Sequence, residues 1–200
     1  MSEFFVGLDL GQKRDYTAVA VVERGGQYPP CYDLRHLERT RLNTSYTTVV
    51  DRVRRLMSTA PLYGQSTLVF DATGVGLPVL DLFKNCGISP VAVNITGGAS
   101  VSQAGRSFHV PKRELIRTVA ALLESGRFRW AESLPLCVDL IEELLNFGVR
   151  INRRTGRDSY EARGSAKHDD LVLAVSLACW YAEHIRDNVR TEEDRASTRL

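Results

Sequence analysis

An apolar run near the start of the chain, Phe4-Phe5-Val6-Gly7-Leu8, closes on Asp9-Leu10-Gly11 and narrows what can surround it. Its length and aromatic pair suit a strand buried on both faces rather than a helix. An ionised carboxylate beside a packed core is costly unless a partner compensates it, so Asp9 needs a reason to be there. The arrangement recurs at Thr67-Leu68-Val69-Phe70-Asp71, an apolar run ending on a lone acid and followed by Ala72-Thr73-Gly74-Val75-Gly76.

Between and after these runs, strand-like and helix-like segments alternate. Residues 17–22 read as a strand closing a hairpin with the first, and 31–40 as a third strand. A helix is expected from the N-cap candidates Asn43, Thr44 and Ser45 to about Ala60, where Pro61 ends it. A short helix over 77–86 and a fifth strand over 91–95 follow. Gly97 to Ser102 reads as a mobile loop, 111–126 as a helix with Pro111 in its first turn, and 136–146 as a helix with Glu142 and Glu143 on its wet face. Residues 149–152 and 159–162 read as a β-hairpin, and 171–185 as a long apolar helix. The expected fold is α/β, a mixed five-stranded sheet flanked by helices with an added basic hairpin. With 200 residues, one domain over 1–187 is expected, followed by a charged, disordered tail over 188–200.

A net charge of +2 and 25% charged residues decide little about partners. Cys31, Cys86, Cys137 and Cys179 are too scattered for a zinc or redox motif, which suits buried thiols in a reducing compartment. No segment has signal-peptide form or the length of a membrane span, and a cytoplasmic location is expected.

If the first and fourth strands are parallel neighbours, Asp9 and Asp71 emerge at the same carboxyl edge of the sheet, where open α/β sheets place ligands. The third acidic position is Asp169-Asp170 in Lys167-His168-Asp169-Asp170-Leu171-Val172-Leu173-Ala174. Ala174 and Ala178, four and eight residues after Asp170, make a small-residue stripe that lets this helix approach the sheet. Any one of these acids alone reads as a turn or cap residue. Their coincidence in one cavity reads as a divalent-metal site, and hard carboxylate oxygens suit Mg²⁺ or Mn²⁺.

Taken in order, Gly7-Leu8-Asp9-Leu10-Gly11, then Phe70-Asp71-Ala72-Thr73-Gly74-Val75-Gly76, then His168-Asp169-Asp170-Leu171-Val172-Leu173-Ala174 resemble the nuclease domain of the large terminase subunit of tailed bacteriophages, over about residues 4–185. The resemblance implies a ribonuclease-H-like fold with strand order 3-2-1-4-5. It also implies a metal-dependent endonuclease that cuts concatemeric viral DNA during packaging, with two ions held by Asp9, Asp71 and Asp169 or Asp170. The implied partners are double-stranded DNA, a terminase ATPase motor, a small terminase subunit and a portal. This chain lacks the Gly-x-x-x-x-Gly-Lys-Ser/Thr loop such a motor requires, so it reads as an isolated domain or one whose motor is a separate polypeptide.

Arg150, Arg153, Arg154, Arg157, Arg163 and Lys167 face only Asp158 and Glu161 in the same stretch, and such a basic hairpin can neutralise DNA phosphates; His168 is a further candidate for phosphate contact. A junction resolvase of similar fold and a non-catalytic DNA-binding or docking module stand as alternatives.

Overall fold

The first apolar run needs cover on both faces, and it receives it. In the computed structural model, which describes residues 3–11, 15–74, 76–152, 157–162 and 168–197, this run forms β1 (Glu3–Asp9). β1 is central, antiparallel to β2 (Thr17–Arg24) and parallel to β4 (Ser66–Asp71). Its alternate residues part company. Phe4, Val6 and Leu8 pack with Val49, Val50 and Val53 of α1 (Tyr46–Met57) and with Val79 and Phe83 of α2 (Gly76–Asn85). Phe5 packs on the other face with Val119 and Leu122 of α3 (Lys112–Glu124), Leu140 of α4 (Cys137–Asn146), and Leu171 and Val175 of α5 (Asp170–Ser197). A sheet with helices on both faces is the α/β layering the sequence implies.

Among the described residues the sheet has eight strands, not five. In the order β6-β7-β5-β4-β1-β2-β3-β8, the five expected strands stand contiguously, with β3 at Tyr32–Thr40 and β5 at Val91–Thr96. The additions are β6 (Ser102–Ala104), β7 (Ser107–Pro111) and β8 (Phe128–Trp130). Two are three residues long, too short to show a period, and β6 takes up the end of the stretch read as a mobile loop. β7 lies parallel to β5 and runs straight into α3, so Pro111 occupies the N-cap position rather than the first turn. Ser45 caps α1, its hydroxyl accepting the Thr48 N–H at 3.2 Å.

The last helix, expected over 171–185 ahead of a disordered tail, runs from Asp170 to Ser197. β9 (Phe147–Asn152) and β10 (Arg157–Ala162) pair antiparallel as a separate two-stranded sheet. Cys137 and Cys179 are buried as expected, but Cys31 is half-buried and Cys86 exposed. Among the described residues no helix is long and apolar enough to cross a membrane.

Candidate metal centre

Strand register brings the acidic positions together. β1, β4, β5 and β7 run parallel, so their carboxyl ends share one edge. Leu8 pairs with Phe70, which places Asp9 and Asp71 side by side one step further on, about one strand spacing apart. On the other side of β1, Asp9 pairs with Ala18, and Ala18 with Arg39 of β3. Side chains alternate along a strand, so Asp9 shares the face of Phe5, Asp71 that of Val69 and Arg39 that of Leu37, all packed on the α5 side. α5 begins at Asp170 on this same face.

Gly7 permits the approach. A Cβ built on it would lie 1.9 Å from the Ala174 carbonyl oxygen and 3.1 Å from the Ala178 nitrogen, so the backbone of α5 rests directly on β1 two residues before Asp9. This is the close contact expected of the Ala174/Ala178 stripe.

The two adjacent aspartates differ in their surroundings. Asp169 is half-buried and accepts from Lys112 Nζ at 2.7 Å through Oδ2. Asp170 is 2% exposed. Arg39 donates to both of its oxygens, at 2.7 Å from Nε and 3.4 Å from Nη2, and His168 Nδ1 lies 4.0 Å away. Asp71 accepts the Thr73 N–H at 2.8 Å, and the Thr73 hydroxyl in turn accepts the Ile95 N–H at 2.7 Å, which fixes the β4 end to β5. Burial raises the Asp71 and Asp170 carboxyls above their usual range. Asp9 is raised furthest from its usual range among these aspartates, first by burial, then by the charges of Asp71, Asp169 and Asp170, with Lys112 opposing.

Arg39 and Glu143 are functional candidates that the sequence reading missed. Glu143, expected on the wet face of α4, is buried; Glu142 is the exposed one. Glu143 accepts from Arg39 and, through Oε2, from the Val172 N–H at 3.1 Å, in the first turn of α5. Arg39 therefore clamps α4 and α5 to the sheet edge, and its guanidinium also lies over Tyr16, whose ring meets His168 edge-on. The available signal was Glu143's spacing from Cys137 and Leu140, which puts it on their buried face.

Burial lifts the Glu143 carboxyl from the usual 4.5 to about 7, against the opposing bond from Val172. The folded chain thus keeps a proton over a range where the unfolded chain has lost it. The resulting stability is complete below about pH 4.5 and disappears as pH rises through about 7. Glu143→Gln is expected to flatten the fall in Tm across that window. Parallel Tm profiles for wild type and variant would exclude this.

Among the described residues no three His, Cys, Asp or Glu side chains stand close enough to hold a metal ion as they are. Asp169 and Asp170 are engaged by Lys112 and Arg39, and one oxygen of Asp71 by a backbone N–H. The donor set still fits a hard divalent cation in charge and type, because burial and mutual repulsion leave the ionised Asp9 in need of positive charge. Both oxygens of Asp170 and Oδ2 of Asp169 are thus shared with cations that the chain itself supplies. Arg153, Arg154, Arg163 and Lys167 lie outside the described residues, as do the side chains of Arg150 and Arg157 on β9 and β10. A cavity of about 580 Å³ lined by Phe4, Val21, Arg35, Leu56 and Leu62 opens at the other end of β1, away from these acids.

A mixed sheet between helices, with acidic residues at adjacent parallel strand ends and at the start of the helix crossing them, fits a ribonuclease-H-like domain. The family model of the terminase RNaseH-like domain matches residues 6–181, and the chain belongs to that family. Among solved structures it is similar to the large terminase nuclease from thermophilic phage G20c, with 25% identity, 88% of this chain and 81% of that chain covered, and a TM-score of 0.64. The same nuclease with bound magnesium gives 24% identity, 88% and 80% coverage, and 0.66. The g2p large terminase nuclease domain from bacteriophage SPP1 with bound Mn gives 15%, 88% and 84%, and 0.56. Comparison with curated proteins gives no match.

Proposed function

We propose that this domain is a Mg²⁺- or Mn²⁺-dependent DNA endonuclease that cuts concatemeric viral DNA during genome packaging. Asp9, Asp71 and the Asp169–Asp170 pair would hold two ions. The observation that carries this reading is the meeting of Asp9, Asp71 and the start of α5 on one face of one sheet edge. Magnesium- and manganese-bound structures of similar nucleases support divalent metal use. When bound, such ions polarise a phosphodiester and make a water nucleophilic at neutral pH.

The chain's own residues supply position and charge. The Thr73 N–H orients Asp71. Arg39 holds the start of α5 against the sheet through Asp170, while Glu143 receives the Val172 N–H there. His168, half-buried beside Asp170 and Tyr16, would contact a phosphate at the rim. Arg150, Arg153, Arg154, Arg157, Arg163 and Lys167 would neutralise the DNA backbone without reading its sequence. The ATPase motor, small terminase subunit and portal are the proposed partners, in the host cytoplasm.

Supercoiled plasmid is expected to be nicked and linearised with Mg²⁺ or Mn²⁺ and left intact with chelator; intact plasmid under all conditions would sink the proposal. Among the described residues no three carboxylates are already gathered for an ion, which favours instead a non-catalytic DNA-binding module. Metal-dependent nicking by the wild-type chain excludes that second reading.

A further inference from the structure

Lys112 is the first residue of α3, directly after β7, and β7 ends at the same sheet edge as β1 and β4. Its ammonium is 2.7 Å from Asp169 Oδ2, with both side chains about 30% exposed. An ordinary surface pair of this kind is worth ~0–1 kcal/mol and does nothing further. This one differs in where its charge falls. Lys112 also favours the ionised forms of Asp9 and Asp71, so one ammonium acts on acids contributed by β1, β4 and the residue preceding α5. Those carboxylates repel one another, and a charge-assisted hydrogen bond engages the lone pairs that a hard cation would use.

We propose that Lys112 is a tethered cation that holds the place of a divalent ion: it partly neutralises the acidic edge in the metal-free chain and competes with an incoming divalent ion for Asp169. This inference rests on the reading of Asp9, Asp71 and Asp169 as metal-holding residues. Divalent affinity is then set by a competition built into the chain. The cluster stays assembled without metal, and it binds metal more weakly than its carboxylates alone would.

The test is Mn²⁺ binding to the full chain, read from the EPR signal of free Mn²⁺, with thermal melts confirming that each variant folds. Lys112→Met and Lys112→Gln are expected to bind Mn²⁺ about tenfold more tightly than wild type, a difference of about 1.4 kcal/mol. Lys112→Arg, which keeps the charge, should stay within about twofold of wild type. In an Asp169→Asn background the gain from Lys112→Met should shrink below about twofold, because the bond it removes is already gone. Wild type that binds Mn²⁺ while Lys112→Met and Lys112→Gln match it overturns the tethered-cation role alone. So does a gain undiminished by Asp169→Asn. Wild type that binds no Mn²⁺ overturns the metal-centre reading and this inference with it.

Discussion

Gly7→Ala is expected to destabilise the domain by about 4 kcal/mol or more, beyond the usual range for a point substitution. Overpacking typically costs ~1–3 kcal/mol where side chains can move aside. Here the added methyl group would meet main chain: the Ala174 carbonyl oxygen at 1.9 Å, its carbon at 2.9 Å and the Ala178 nitrogen at 3.1 Å. Relief requires α5 to lift off β1, which pulls Leu171, Val175 and Ala178 away from Phe5, Ala18 and Ala20. A fall in Tm of roughly 10 °C is the corresponding readout for a domain of this size. Any fraction that still folds should nick plasmid poorly, since Asp169 and Asp170 travel with the helix. A variant Tm within about 2 °C of wild type would show that α5 does not rest on β1 as described.

Asp9→Asn is expected to move activity and stability in opposite directions. The amide keeps the carboxylate's shape and removes a charge that burial and three neighbouring aspartates disfavour. In chelator, the variant should therefore melt above wild type. Its nicking should fall by more than ~10³-fold, because loss of a direct ligand exceeds the ~10–100-fold typical of losing an outer partner. Mn²⁺ should raise the Tm of wild type and leave that of the variant unchanged, since only a bound ion stabilises the folded state. Wild-type nicking rates in Asp9→Asn would remove Asp9 from the proposed centre.

The three acidic positions could be singled out from sequence because each breaks a local rule. Asp9 and Asp71 end runs that otherwise spend no charge, and Asp169-Asp170 doubles an acid where one cap suffices. Ala174 and Ala178 foretold the close helix, and Gly7 is the other half of that contact. Lys112, Arg39 and Glu143 break no such rule. A lysine after proline at a helix start, an arginine on an alternating strand and a glutamate beside another glutamate all read as surface. Their placement depends on register. Arg39 reaches Asp170 because β3 stands two strands from β1, and Lys112 reaches Asp169 because β7, a strand too brief to notice, delivers it to the acidic edge. Glu143 was misplaced because a Glu-Glu pair looks hydrophilic as a unit, whereas only Glu142 faces water.

The seating of Ala174 on Gly7 joins residues from opposite ends of the sequence, and the acidic edge is completed only by that closure. A chain emerging N-terminus first carries Asp9 and Asp71 long before it carries the residues that finish the cluster. Under the proposed function a half-made domain is not expected to cut, because Asp169 and Asp170 join Asp9 and Asp71 at that edge only once α5 has packed onto the sheet.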